Sequence, residues 1–222
     1  MPATAIIAAL PREIAALVHG APAHPLLLQQ GIHLYRLPNA IVVAAGMGRQ
    51  RVTLAVNAAL AAAEVATLIS IGLAGACTPT HTPGIVLEAT TVHDAQTGER
   101  YTTVATTGLT LISTQAIANV HEKARLHQAY SADLVDMEAS TVARLAAARG
   151  LQFRAIKSIS DAHDFELASL SRFANHQGHF RTAAFAAHTA LRPHTWQKTI
   201  RLGRNSNRAL SALTLAVQAA IN

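Results

Sequence analysis

Short aliphatic runs alternate with stretches of helical spacing through most of the chain, and this alternation limits the fold more than any other feature. Residues 4–10 form such a run and are followed by Pro11, a residue favoured in the first turn of a helix. Residues 67–71 and 153–160 are similar runs, long enough for buried strands. Strands that alternate with helices predict an α/β fold in which helices cover both faces of a sheet.

The other elements follow from the same pattern. The additional predicted strands are residues 32–37, 41–45 and 84–92. The predicted helices are residues 52–63, 114–128, 138–149 and 195–220. Glycine-rich residues 72–76 follow the strand at 67–71, and polar residues 93–108 predict a loop or hairpin.

Composition excludes several classes of protein. The chain has 222 residues, of which 50% are hydrophobic, so it can form a sizeable core and is not intrinsically disordered. Its one cysteine, Cys77, excludes a disulfide framework and a cysteine-based zinc site. The twelve histidines show no ligand spacing, so no metal is predicted. No apolar run reaches the roughly 18 residues of a spanning helix, and the first residues lack the basic start of a signal peptide, which predicts a cytoplasmic protein.

Basic residues are concentrated near the end of the chain. Seven of the eighteen Lys and Arg residues follow Glu166, whereas all twelve acidic residues lie at or before it. Such an excess is typical of proteins that bind nucleic acid, an anionic membrane surface or an anionic ligand. Nucleic acid is not predicted, because no binding motif is present and only 4% of the residues are aromatic.

The predicted last helix has two interpretations. One side of its helical wheel is basic and the opposite side is more apolar. The basic side carries Lys198, Arg201, Arg204 and Arg208, and the opposite side carries Trp196, Ile200, Gly203 and Leu210. The helix either docks on the core with its charges in water or rests against an anionic membrane as a peripheral contact on its inner face. We treat residues 1–190 as the main domain and residues 191–222 as a basic C-terminal segment packed on it or extending from it.

Acidic residues follow several predicted strands. Glu13 comes after the first strand, Asp161 after a late one, and Glu138 stands at the start of a helix. Ligand sites of α/β folds form at the carboxyl ends of strands, so these residues are candidates for a carboxylate active site. Acidic residues also cap helices and favour their first turns, so structural capping stays open as an alternative.

The segment GMGRQR, residues 46–51, stands between a predicted strand and a helix. It contains G-x-G, but Arg51 occupies the third glycine position of a dinucleotide fingerprint, and no acidic residue follows at the required distance. Arg49 and Arg51 either hold an anion beside the helix amides or form a solvated basic turn.

Six segments occur in the order of a known superfamily. They are IIAALPREIAAL (6–17), AAGMGRQRVTLAVNAAL (44–60), SIGLAGA (70–76), PGIVLEA (83–89), LVDMEASTVARLAAARGLQF (134–153) and IKSISDAHD (156–164). Together they resemble the superfamily of purine nucleoside phosphorylases and methylthioadenosine/S-adenosylhomocysteine nucleosidases. The resemblance implies a three-layer α/β/α sandwich with a twisted mixed sheet, cleavage of the N-glycosidic bond of a 5′-substituted adenosine-type nucleoside, and a homodimer or larger homo-oligomer. It implies no cofactor, with phosphate as the conceivable co-substrate.

The resemblance also implies roles for individual residues. Asp161 stands where the proton donor to purine N7 lies, and Glu138 where a carboxylate binds the ribose hydroxyls. Glu13 stands where nucleosidases hold the carboxylate that activates water. The implied substrate-binding residues are Met137, Leu73, Ala74, Gly75, Ile112 and Ser160.

The chain departs from the phosphorylase pattern at two positions. Phosphorylases have a phosphate-binding Arg before the glycine segment and a Thr within it, whereas this chain has Ser70 and Leu73. Hydrolysis is therefore favoured over phosphorolysis, and the remaining phosphate candidates are Arg12, Arg49 and Arg51.

The short middle of the chain and its basic tail resemble the hopanoid-associated branch, which removes adenine from adenosylhopane. Three alternatives stay open. They are a methylthioadenosine/S-adenosylhomocysteine- or futalosine-type nucleosidase, a phosphate-dependent phosphorylase, and a non-catalytic nucleoside-binding protein.

Overall fold

The computed structural model describes residues 3–166 and 196–221, which form a mixed sheet with helices on both faces. The strands are β1 (Ala3–Ala8), β2 (His33–Arg36), β3 (Ala40–Ala44), β4 (Val65–Ala76), β5 (Val86–Asp94), β6 (Arg100–Thr102), β7 (Leu109–Ser113), β8 (Leu134–Asp136) and β9 (Gln152–Asp161). The helices are α1 (Pro11–Ile14), α2 (Pro25–Gln29), α3 (Arg49–Ala62), α4 (Val120–Tyr130), α5 (Ala139–Ala147) and α6 (Trp196–Ile221). The predicted boundary at 190–191 lies outside the described residues.

Strand β4 is the centre of the sheet. It pairs in parallel with β1 on one side and with β9 on the other, and its last residues pair antiparallel with β8. The strand order is β2-β3-β1-β4-β8-β7-β5-β6, and β9 bridges β4 and β5. Parallel β1, β4 and β9 end on the same edge of the sheet, which is where an α/β fold places its ligand site.

Alternating side chains of β1 show how the layers form. Ala5 and Ile7 pack with α3 and α5 on one face, whereas Ile6 and Ala8 pack with α1 and α6 on the other. This alternation is expected of a strand buried on both sides. The predicted three-layer α/β/α sandwich with a mixed sheet is confirmed.

Helix α6 packs on the sheet through a face that differs from the predicted one. Ala209, Leu213 and Val217 are fully buried and follow helical spacing. The predicted docking face is wrong, because Ile200 is 53% exposed and Gly203 is exposed. Small and branched residues in the second half of the helix pack against β9 and β4, and this contact decides the orientation of the helix.

The charges of α6 point away from the core. Arg201, Arg204 and Arg208 are exposed, and the side chains of Trp196 and Lys198 lie outside the described residues. The guanidinium of Arg201 lies 4.9 Å from the ring centroid of Phe165. Within residues 3–166 and 196–221, no helix is both long and apolar enough to cross a membrane.

Candidate active site

A pocket of about 180 Å³ opens at the edge where β4 and β9 end. Nine of the residues singled out from the sequence line it: Arg12, Glu13, Leu73, Ala74, Gly75, Met137, Glu138, Ser160 and Asp161. They come from α1, β4, β9 and the link between β8 and α5, so the fold assembles them from distant parts of the chain. Helix α6 closes one side with Leu202 and Ser206, and Met47 lies on another.

Backbone amides hold the carboxylate of Glu13 in this pocket. Its Oε2 accepts hydrogen bonds from the N–H groups of Ala9 at 3.1 Å and Leu10 at 2.8 Å. Its Oε1 accepts a third from Leu73 at 3.2 Å. Pro11 starts α1 and places Glu13 in the first turn, where a negative charge is favoured. Three backbone N–H donors therefore hold this side chain in one orientation.

Gly72 makes room for Glu13. A Cβ at this glycine would lie 3.0 Å from Oε1 of Glu13, and the backbone φ is +144°, which side chains rarely adopt. Strand β4 continues through the glycine segment to Ala76, past the predicted strand end at residue 71. A larger residue at position 72 would push the Glu13 carboxylate away.

We predict that Gly72→Ala lowers stability by about 1–3 kcal/mol, the cost of a strained backbone, and also impairs any activity that depends on Glu13. The matched control is Gly20→Ala, since Gly20 has a φ of +81° and a Cβ there meets no atom within 4 Å. Chemical denaturation and an activity assay of both variants test this. Equal activity of the two variants would contradict a role for Gly72 in seating Glu13.

Glu138 is a carboxyl group in an environment that favours its neutral form. The N–H of Gly48 donates to its Oε1 at 3.2 Å. Burial, and after it the charge of Asp136, raises the pKa of Glu138 to about 8. The carboxyl group lines the pocket beside Met137, which suits a contact to hydroxyl groups of a ligand.

Asp136 and Lys157 form a buried ion pair behind Glu138. Nζ of Lys157 lies 2.9 Å from Oδ2 of Asp136 and donates to Oγ of Ser70 at 3.0 Å. The same carboxylate accepts the N–H of Ala139 at 3.0 Å and the hydroxyl of Ser113 at 2.6 Å. These bonds fix the start of α5, so Asp136 has a structural role and the Ser70 hydroxyl is already engaged.

Asp161 lies at the end of β9, where its side chain is 3% exposed. The hydroxyl of Ser160 donates to its Oδ1 at 2.5 Å. Nζ of Lys123 donates to its Oδ2. Burial raises the pKa of Asp161, and the Lys123 ammonium opposes that effect.

Lys123 is a site residue that the sequence analysis missed. It lies in the first half of α4 and lines the pocket with a side chain that is 1% exposed. Its spacing of three residues from buried Leu126 places it on the inward face of α4, and this spacing is the signal that was available. A single lysine in a polar helix is, however, ordinarily a solvated charge.

Two of the arginines considered as phosphate ligands are engaged elsewhere. Nη2 of Arg49 lies 2.6 Å and 2.5 Å from the two carboxylate oxygens of Asp94. Arg51 donates to the carbonyl oxygens of Ala45 and, at 2.7 Å, Gly31. Neither lines the pocket, so these two assignments are corrected. Arg12 does line it.

Ile112 also lies away from the pocket. Its side chain is fully buried in a cluster with Cys77, Leu126 and Val135, behind the pocket wall. The expected contact with a ligand is corrected accordingly, because β7 directs this side chain into the core.

Burial raises the pKa of Cys77 to about 12, so its thiol stays protonated.

A family model described as the phosphorylase superfamily matches residues 94–192. The resemblance drawn from the sequence motifs is therefore confirmed. The sequence has no significant match among curated proteins.

Solved structures with the same fold include nucleosidases. Futalosine hydrolase of Helicobacter pylori strain 26695 superposes with a TM-score of 0.72 at 15% identity, covering 98% of this chain and 96% of that one. A mutant nucleosidase (MTAN) of Helicobacter pylori with 5′-methylthioadenosine in its active site gives 0.70 at 15% identity, covering 99% and 97%. MTAN from Chlamydia trachomatis bound to MTA gives 0.65 at 17% identity over the full length of both chains. These similarities establish the shared fold.

Proposed function

We propose that the protein hydrolyses the N-glycosidic bond of an adenosine-type nucleoside substituted at C5′ and releases the free base. One observation carries this proposal. Glu13, Glu138 and Asp161 line one pocket with the glycine segment of β4, although up to 148 positions separate them in the chain. Carboxyl groups on different sides of one pocket suit glycoside cleavage, which needs an acid, a base and stabilisation of a positively charged sugar.

Asp161 is the proposed general acid. Protonation of purine N7 makes the base a better leaving group, so the donor must carry a proton near neutral pH. Burial raises the pKa of Asp161, which is the direction that this role needs. Ser160 supports it by a hydrogen bond to the same carboxyl group.

Glu138 and Glu13 take the other two roles. As the bond to the base breaks, positive charge develops on the ribose ring, and hydrogen bonds from its hydroxyls to Glu138 become stronger. Met137 provides an apolar surface beneath the sugar. Glu13 accepts a proton from the attacking water, a role suited to a carboxylate held by three backbone N–H groups.

Water rather than phosphate is the proposed acceptor of the sugar. Arg49 and Arg51 are bonded to Asp94 and to backbone carbonyls, and the Ser70 hydroxyl is bonded to Lys157. Leu73 offers no hydroxyl group. Of the three arginine candidates, Arg12 alone lines the pocket among the described residues. The set of phosphate ligands is therefore incomplete.

We predict that base release is nearly the same in phosphate-free and phosphate buffer. The assay is chromatography of the products formed from several 5′-substituted adenosines. A strict requirement for phosphate, with a sugar 1-phosphate product, would contradict hydrolysis and leave phosphorolysis as the activity.

The same substrate panel identifies the group attached to C5′. The candidate substrates are methylthioadenosine, S-adenosylhomocysteine, futalosine and adenosylhopane. The oligomeric state and a peripheral membrane contact likewise stay predictions.

A further inference from the structure

Lys123 makes three hydrogen bonds at the end of β9. Its Nζ donates to Oδ2 of Asp161, to the carbonyl oxygen of Ala162 at 2.8 Å and to that of Phe165 at 3.4 Å. A lysine ammonium has three N–H donors, so each one has an acceptor. The lysine thereby joins α4 to the turn that follows the proposed general acid.

Burial and the helix dipole both make the position of Lys123 energetically unfavourable for a positive charge. The side chain is 1% exposed, and a cation near the first turn of a helix is disfavoured by the helix dipole. An apolar residue at this position would continue the buried face formed by Leu126. The ammonium is instead directed at the one carboxyl group to which the proposed mechanism assigns proton donation.

Strand β4 leaves space for this pair. A Cβ at Gly75 would lie 2.9 Å from Oδ2 of Asp161 and 3.0 Å from Cε of Lys123. Contacts this short are incompatible with any residue larger than glycine unless the pair moves. The glycine segment that accommodates Glu13 at Gly72 therefore accommodates the Lys123–Asp161 pair at Gly75.

We propose that Lys123 is the positioning residue of the general acid: its ammonium holds Oδ2 of Asp161, leaves Oδ1 to carry the proton, and stabilises the carboxylate that remains after proton transfer. This inference rests on the proposed nucleosidase function. It assigns Lys123 no direct contact with the reacting atoms.

Ser160 allows Oδ1 to exist in both protonation states. Its Oγ lies 2.5 Å from Oδ1 of Asp161 and 3.3 Å from the carbonyl oxygen of Ala74. When Asp161 is protonated, the Ser160 hydroxyl can donate to Ala74 and accept the proton of Oδ1. When Asp161 is ionised, the hydroxyl rotates and donates to Oδ1.

The proposed step balances in protons and electrons. The O–H bond at Oδ1 breaks and an N–H bond forms at purine N7, while the glycosidic electron pair goes to the base. Lys123 keeps all its protons, so the step converts an ammonium beside a neutral acid into an ion pair. Water adds to the sugar and gives a proton to Glu13. Glu13 then releases this proton to solvent, and Asp161 takes one up from solvent, which restores the starting state.

Other ionisable groups around the pair do not replace Lys123. Among the described residues, Lys123 and Ser160 are the side chains bonded to Asp161. The Cys77 thiol is neutral because burial raises its pKa to about 12. Other ionisable groups among the described residues lie in the pocket, near Cys77 or in the turn after Asp161. They are Arg12, Glu13, Glu138, the Asp136–Lys157 pair, Asp133, Glu122 with its partner Arg125, His163, Asp164 and Glu166.

The test is the pH dependence of kcat and kcat/KM for Lys123→Met and Lys123→Arg. The Lys123 ammonium favours the ionised form of Asp161, so its removal raises the pKa of Asp161. The alkaline limb of the profile, where activity falls with rising pH, therefore moves to higher pH. We expect Lys123→Met to move this limb by about one pH unit or more. We expect kcat to fall about 10-fold or more, a part of what general acid catalysis contributes. Lys123→Arg should return the limb toward its original position.

A matched control and a double variant separate this role from a structural one. Arg125→Met removes an exposed cation from the same helix and should leave the profile unchanged. In an Asp161→Asn background, Lys123→Met should lower kcat no further, because Lys123 acts through Asp161. If Lys123→Met does not fold, Lys123→Gln removes the charge and keeps donors to the two carbonyls.

Two results would overturn the inference. A limb that stays in place, or an equal loss of activity with and without Asp161, would show that Lys123 only supports the fold and would leave the nucleosidase function intact. The absence of base release by the unmodified protein would instead reject the proposed function itself, and the inference with it.

Discussion

Asp161→Asn is expected to lower base release from purine nucleosides by about 10²–10⁴, the usual contribution of a general acid. Asn has the size of Asp but no proton to transfer. The fold should persist because Lys123 keeps the carbonyl oxygens of Ala162 and Phe165 as acceptors. Lower thermal stability is also expected, since Asn cannot ionise to become the counter-ion of the buried Lys123 ammonium.

The matched control for this variant is Asp164→Asn. Asp164 is exposed and three residues away, and it does not line the pocket. Steady-state rates of both variants, with circular dichroism as the check on folding, give the comparison. A folded Asp161→Asn protein with unchanged turnover would remove Asp161 from the mechanism.

Glu13→Gln is expected to lower hydrolysis by about 10²–10⁴, because an amide cannot accept the proton of the attacking water. The amide group also fits its surroundings poorly. Whichever way it is turned, its NH₂ faces a backbone N–H, of Leu73 on one side or of Ala9 and Leu10 on the other.

Glu64→Gln is the control for that variant, since Glu64 is exposed in the link between α3 and β4 and does not line the pocket. Rates in phosphate-free buffer are the relevant measurement. Full activity of Glu13→Gln would exclude Glu13 as the base that activates water, while leaving the acid at Asp161 untouched.

Strands with continuous apolar runs were predictable from the sequence, whereas β7 and β8 were not. β1 and β9 are buried on both faces and carry their own hydrophobic signal. β8 has only three residues, Leu134–Asp136, and exists because β4 and β7 flank it. Pairing between residues so far apart in the chain leaves no local pattern to detect.

The same reasoning explains which site residues the sequence indicated. The motifs around Glu13, Glu138 and Asp161 are contiguous and recognisable. The orientation of the Lys123 side chain depends on a contact with a turn about 40 residues later in the chain. The orientation of Arg49 depends on Asp94, which is 45 positions away. Partners at that distance decide whether a basic side chain faces the pocket, the core or solvent.

The most direct test of the account is the fate of water in the reaction. A panel of 5′-substituted adenosines is incubated with the protein in ¹⁸O-enriched water containing phosphate, and the products are analysed by mass spectrometry. We expect free adenine and a sugar that carries ¹⁸O at C1, and we expect Asp161→Asn to reduce the yield of both strongly. An unlabelled sugar 1-phosphate, or no release of base from any member of the panel, would contradict it.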